Sequence, residues 1–429
     1  MQSPEDAMLT FKDGKEIFRK SPSKEKVEVL ITGDCCPWDK AIEPIRAGKS
    51  SEILSGIKPF LDDCDLSVMQ FETPLTNAET PIIKSGPNLK CPPECVVFVK
   101  AGGFDIAALA NNHIGDFGTE PVMETIRILN KNGIKTVGAG KNLEAANKPL
   151  IVSRKWMKIA FINIAENEFG TAGKNKPGTA PLDPLNNIRL IRETAAQTDH
   201  VIVIMHGGNE TNPLPSPRVI KTCRAFAEAG AHAVIQIHAH CPQGIEIWQG
   251  TPIFYCPGNF YFPGPWYKFD PKSLWWSGFI IKLAFDKHSA FGLEIIPYTF
   301  GYTPEKIVPL TGGKKAAFCK YMAKISRLLH NQDEVGRYFD GWCAWHGRYA
   351  ISGIRKISAL WPIEHRDPET IKQFMALRNY FTCEAHNELV TNFLRLVEED
   401  RVKEAEKYIP KIRKLQIADF ILYKGEDLK

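Results

Sequence analysis

His232–His240 reads HAVIQIHAH: an apolar, partly β-branched run that ends in two histidines, His238 and His240. On a strand, residues two apart share a face, and in the loop just after one they can reach two neighbouring ions. Imidazole suits zinc, iron and similar metals. Four other runs have the same design. Val27–Asp34, VEVLITGD, ends in Gly33-Asp34, and Asp65–Glu72, DLSVMQFE, ends in Glu72. Phe104–His113, FDIAALANNH, ends in Asn112-His113, and His200–Gly208, HVIVIMHGG, ends near His206. Helical patterns sit between them, such as Pro121–Asn132 and Pro217–Ala229, each with proline in its first turn. Apolar runs without strict alternation predict strands covered on both faces, and strands alternating with helices predict an α/β domain. Ligands in such folds lie beyond the C-terminal ends of the strands. All five runs deliver a polar residue there, and that agreement outweighs any single motif.

Each residue alone has a plainer explanation. Strand-Gly-Asp at Gly33-Asp34 is common turn chemistry. Glu72 can cap a helix, Asn112 can supply a turn, and a lone strand-end histidine such as His206 is more often a satisfied core residue. Together, however, Asp34, Glu72, Asn112, His206, His238 and His240 supply two carboxylates, an amide and three imidazoles. That set can hold two divalent ions roughly 3.5–4 Å apart, zinc, manganese or iron. The implied chemistry is hydrolysis at phosphorus or, less often, at an acyl carbon. His113 can face the substrate and protonate a leaving group. Glu210 is placed to orient His206 from behind.

The chain has 429 residues, more than one core usually serves, with 44% hydrophobic and 24% charged residues. This is ordinary globular composition. The net charge of +5 gives no sign of a nucleic-acid or membrane partner, so an anionic small molecule or polymer is the expected substrate. No run reaches the ~18 apolar residues of a spanning helix. With eleven cysteines, no signal-peptide pattern and no membrane anchor in the sequence, a reducing cytoplasm is the expected compartment. Residues 1–26 read as a polar lead-in and residues 27–302 as the α/β domain. From residue 303 the pattern turns helical, so 303–429 reads as a helical appendage. Its Trp342, Trp345, His346 and Arg348 can form a helical core or a stacking, sugar-binding face. The spacing of Cys91 and Cys95 fits zinc, but no second ligand pair follows.

In order, GD, FETPLT, GFDIAALANNHIGDFG, GIKTVGAG, HGGNE, GAHAVIQIHAHCPQGIEIW and IFYCPGNFYF make the chain resemble the CapA family of capsule or poly-γ-glutamate synthesis proteins. That family is related to calcineurin-like metallophosphoesterases. The resemblance covers about residues 27–301 and implies two packed β-sheets flanked by helices. It implies that Asp34 and His240 bind one metal, that Asn112, His206 and His238 bind the other, and that Glu72 bridges. His113 would be the substrate-facing acid, and Asn259 would hydrogen-bond from behind. Cys36 stands where related enzymes carry a histidine ligand, so its thiolate is a possible additional ligand. The expected function is a metal-dependent hydrolase in capsule or cell-surface polymer metabolism. The alternative is a non-catalytic assembly factor that binds polymer or a biosynthetic partner.

Overall fold

The computed structural model describes residues 9–21, 25–264, 270–301, 306–358 and 367–421. Two β-sheets pack face to face. In the larger, the order from one edge is Lys15–Ile17, Ala290–Thr299, Ser277–Phe285, Val27–Cys35, Leu66–Phe71, Ile106–Ala108 and Lys135–Val137. Asn259–Tyr261 also pairs with Val27–Cys35, and Val308–Pro309 with Ala290–Thr299. The last four strands of that order run parallel. The second sheet runs Ile245–Trp248, Thr251–Phe254, Ala233–Ile237, His200–His206, Met157–Ala165 and Leu150–Arg154. Its four inner strands are parallel and each edge strand is antiparallel. This is the helix-flanked two-sheet α/β architecture expected above.

Side-chain alternation explains why the strands read as unbroken apolar runs. In His200–His206, Ile202 and Ile204 join Val29, Ile31 and Val68 in the core between the sheets. Val201, Val203 and Met205 point the other way and pack with Val219, Ile220, Cys223 and Phe226 of the Pro217–Glu228 helix. Both faces are buried, so period-two polarity disappears.

The sheets are also bolted together by buried polar groups. Asn163 accepts a hydrogen bond from the Ala110 amide at 2.7 Å and donates to the Ile204 carbonyl at 3.2 Å. Gln70 donates to the Ala110 carbonyl at 2.9 Å. Asn163 belongs to the second sheet and Gln70 to the first, and the bolt lies under the strand ends that carry the candidate ligands.

The outer parts of the chain are less separate than their composition indicates. In the polar lead-in, Leu9 and Phe11 enter the main core and Lys15–Ile17 forms an edge strand on Ala290–Thr299. The Gly312–Leu329 helix places Phe318, Met322 and Ile325 in that same core. A further cluster around Phe339, Trp342, Cys343, Phe393 and Ile412 belongs to the later helices. Pro368–Thr382 and Glu384–Glu398 are separate helices, because Cys383 between them is extended at ψ 125°. Pro410 sits in the first turn of Ile409–Leu415, where a missing N–H costs nothing.

Candidate metal centre

Each candidate ligand leaves the C-terminal end of a parallel strand. Asp34 lies near the end of Val27–Cys35, fully buried. Gly33 before it must be glycine: a Cβ there would meet the Gly258 carbonyl oxygen at 1.8 Å. Glu72 follows Leu66–Phe71, and Asn112 and His113 follow Ile106–Ala108. From the opposite sheet, His206 ends its strand, and His238 and His240 follow Ala233–Ile237.

The six residues converge. His206 Nδ1 lies 3.5 Å from Asp34 Oδ1, and its Nε2 lies 3.5 Å from Glu72 Oε1 and 3.1 Å from Asn112 Oδ1. His238 Nδ1 is 3.9 Å from Glu72 Oε1, and His240 Nε2 is 3.8 Å from the same atom. His240 Nδ1 is 3.3 Å from Asp34 Oδ2. Two groups able to hold an ion emerge, Asp34–Glu72–His206 and Glu72–His238–His240, with Glu72 common to both. The division of the histidines differs from the one implied by the resemblance: His206 falls with Asp34, and His238 with His240.

Three observations fit these residues to cations. First, both Glu72 carboxylate oxygens are buried without a hydrogen-bond partner among the described residues, as are Asp34 Oδ1, His206 Nδ1 and His238 Nδ1. Buried polar atoms are normally paired, so an orphaned carboxylate ringed by imidazoles asks for a ligand. Second, the charges are strongly coupled. Burial opposes charging His206, yet the carboxylates of Asp34 and Glu72, each 3.5 Å away, outweigh it and push the pKa up to about 10. Burial likewise opposes charging His240, but the Glu72 charge and the bond to Asp34 push it up to about 9. Burial would raise Glu72; the neighbouring histidines, His240 foremost, hold it well below the usual carboxylate range. Without a metal, protons on imidazole supply the positive charge that this pocket requires. Third, His238 and His240 have φ of +103° and +53°. Positive φ in a residue with a Cβ is strained and collects at functional sites.

The neighbouring groups hold the ligands in place. Asn259 Oδ1 lies 2.8 Å from His240 Nδ1 and its amide donates to the Trp275 carbonyl at 3.1 Å, which leaves His240 Nε2 directed at Glu72. Asp116 Oδ2 lies 2.7 Å from His113 Nδ1, and Asp116 Oδ1 pairs with the buried Lys84. Two expectations need correcting. Glu210 approaches His238, at 3.9 Å from Nε2, instead of standing behind His206; the positive-φ turn at Gly208 separates it from the strand end. Cys36 belongs to neither ion-holding group. Its amide is drawn to the Tyr261 carbonyl at 2.9 Å, and burial raises its thiol pKa to about 11 while Cys91 hydrogen-bonds it.

Sequence reading missed several positioning residues. Asn111 donates to the carbonyls of Phe71 at 2.8 Å and Leu109 at 3.1 Å, and accepts from the amides of His113 and Ile114 at 2.9 and 2.8 Å. It ties the end of one strand to the next and so fixes Asn112 and His113; its place in the ANNH loop was the signal available. Lys84 had none. Glu166 had none either: it is buried and accepts from Arg218 at 2.6 Å and from the Ala385 amide at 3.0 Å, latching the later helices onto the strand ends. Those helices wall a cavity of about 500 Å³ that also contains Asn112, His113, His238 and His240.

A model of the family described as "Bacterial capsule synthesis protein PGA_cap" matches residues 28–264. The PGA biosynthesis protein CapA of Bacillus subtilis (strain 168) is 30% identical over 335 residues, 75% of this chain and 84% of that protein. The capsule biosynthesis protein CapA of Bacillus anthracis is 26% identical over 264 residues, 59% of this chain and 64% of that protein. Among solved structures, the calcineurin-like phosphoesterase YfkN from Bacillus subtilis aligns with 72% of this chain and 98% of its own at 13% identity, with a TM-score of 0.36. From the family match and the long alignment with its Bacillus subtilis relative, the chain belongs to the PGA_cap family of bacterial capsule synthesis proteins.

Proposed function

We propose that this protein is a metal-dependent hydrolase of a phosphoester or a related bond, working in capsule or cell-surface polymer metabolism. The observation that carries the reading is Glu72: a fully buried carboxylate with two unpartnered oxygens, common to two groups of potential ligands. Asp34, Glu72, Asn112, His206, His238 and His240 would hold two divalent cations, zinc, manganese or iron. Such ions supply Lewis acidity toward a phosphoryl group. The remaining chemistry belongs to the chain. Asp116 holds the proton of His113 on Nδ1, so Nε2 is the atom that exchanges a proton with the leaving oxygen. Asn111 sets the distance between that acid and Asn112, and Asn259 keeps His240 in one tautomer. Ten of the eleven cysteines are buried and all are free, which supports the cytoplasm as the compartment. Among the described residues, no helix is long and apolar enough to cross a membrane.

The test is elemental analysis of the purified protein followed by a screen of phosphoesters. Metal-dependent turnover that disappears in Glu72→Gln supports the reading. Stoichiometric metal without turnover of any ester favours a second reading, an assembly factor that uses the site for binding. The names of the curated relatives, which describe polymer biosynthesis, point in that direction.

A further inference from the structure

The cavity has a second half that the metal centre does not use. Its wall includes residues of the helices Gln332–Ser358, Pro368–Thr382 and Glu384–Glu398, which lie beyond residues 28–264 of the family match. Four polar atoms of residues lining the cavity are buried without a hydrogen-bond partner among the described residues: Trp342 Nε1, His346 Nε2, Asn379 Oδ1 and Asn209 Oδ1. Trp342 is 4% exposed and Asn379 5%, whereas His346 and Asn209 are half-buried. Leaving such groups unpaired is unfavourable, and four in one cavity mark a place where a ligand completes the bonding.

Their chemistry narrows the ligand. Trp342 Nε1 only donates, whereas the two asparagine oxygens only accept. His346 lies against Trp342, ring centroids 4.1 Å apart and planes tilted by 39°, and burial lowers its pKa to about 4, so at neutral pH its ring is uncharged. Lys84 is the one lysine or arginine among the described residues lining the cavity, and Asp116 already pairs with it. An anionic group at this end would meet no free cation and would face Glu168, which accepts from Asn379 at 3.4 Å. A hydroxyl group both donates and accepts, and so satisfies Trp342 and the asparagines alike. A volume of about 500 Å³ is ordinary for a small-molecule site.

We propose that this half of the cavity is a sugar subsite, in which Trp342, His346, Asn379 and Asn209 hydrogen-bond the hydroxyls of an uncharged ring whose phosphate lies at the histidine cluster. The substrate class is then a sugar phosphate ester. This inference rests on the metal-dependent phosphoesterase reading and adds what the ester carries.

The experiment is calorimetric titration of the full-length, zinc-loaded protein with three non-hydrolysable probes. Methylphosphonate tests the phosphate end alone. The methylene phosphonate analogue of glucose 1-phosphate adds a neutral sugar, and phosphonoacetate adds a carboxylate. The sugar phosphonate is expected to bind about tenfold more tightly than the other two. Trp342→Phe keeps the ring and removes the donor; it and Asn379→Leu should each weaken sugar phosphonate binding about fivefold, as loss of one neutral hydrogen bond does. Methylphosphonate binding should not change in either variant. Equal affinity for the three probes, or equal losses for methylphosphonate and the sugar phosphonate, overturns the subsite while leaving the metal centre standing. Failure of methylphosphonate to bind the metal-loaded protein removes the centre and the subsite together. Should Asn379→Leu fail to fold, Trp342→Phe decides the matter alone.

Discussion

Replacing Glu72 by Gln keeps the shape of the side chain and removes its charge. The carboxylate lies 3.5 Å from His206, 3.8 Å from His240 and 3.9 Å from His238, and both ion-holding groups include it. A four-ligand zinc site binds with about 10–16 kcal/mol, or about 2.5–4 kcal/mol per ligand, if the ligands share it equally. Loss of one anionic ligand should therefore weaken each ion about 10²- to 10³-fold, and both ions together. His206→Ala touches one group alone and should release one ion while the other stays. The assay is metal stoichiometry by elemental analysis after dialysis against a series of buffered free-zinc concentrations, with circular dichroism to confirm the fold. Because neither Glu72 oxygen has a hydrogen-bond partner among the described residues, the metal-free variant should keep its structure. Wild-type stoichiometry and affinity in Glu72→Gln would refute the shared-carboxylate arrangement.

Other outcomes follow from the same geometry. His113→Ala should retain metal and lose about 10²- to 10⁴-fold in turnover, with the smallest loss on esters having an activated leaving group; equal rates on both ester types would remove His113 as the acid. Metal binding should release protons and tighten as pH rises, because His206 and His240 carry protons up to about pH 10 and 9. The metal-free fold has the opposite dependence: raised histidine pKa values stabilise it fully below about 6.5, and that contribution is lost as pH rises through 9 to 10. Calorimetry in buffers of different ionisation enthalpy checks the release, and melting scans of metal-free protein check the stability. Arg218→Ala leaves buried Glu166 unpaired and should cost about 3 kcal/mol, less than a fully buried pair because Arg218 is partly exposed. Its readouts are a lower Tm and faster proteolysis within 367–398, and an unchanged Tm would contradict the latch. A chain cut before residue 312 loses Phe318, Met322 and Ile325 from the main core and should be insoluble, whereas soluble, metal-binding material would show that helix to be dispensable.

The strands and their polar ends were legible because both are local. A run such as HVIVIMH reports burial on two faces, and the residue type at its end reports chemistry. The order of motifs then carried the resemblance. What stayed hidden depends on distant partners. Asn163 and Gln70 are 93 residues apart, and nothing in either segment announces the other. Glu166 meets the Ala385 amide across 219 residues. Composition split the chain near residue 303 because helices replace strands there, yet Phe318 and Trp342 serve the main core and the cavity wall. Cys36 misled for a related reason. Spacing placed a thiol two residues after Asp34, but the backbone bond to Tyr261 and the thiol contact with Cys91 decide where it points.

The candidate centre is a seam, with Asp34, Glu72 and Asn112 supplied by one sheet and His206, His238 and His240 by the other. Any shift of one sheet against the other changes every cross-seam ligand distance at once and leaves distances within each sheet alone. The Gln70–Asn163 bolt lies directly beneath. A cobalt-substituted centre would thus serve as a gauge of sheet packing. Core substitutions far from the ligands should move its absorption bands in proportion to how far they pry the two layers apart, which makes the metal a reporter on the interior as well as a reagent.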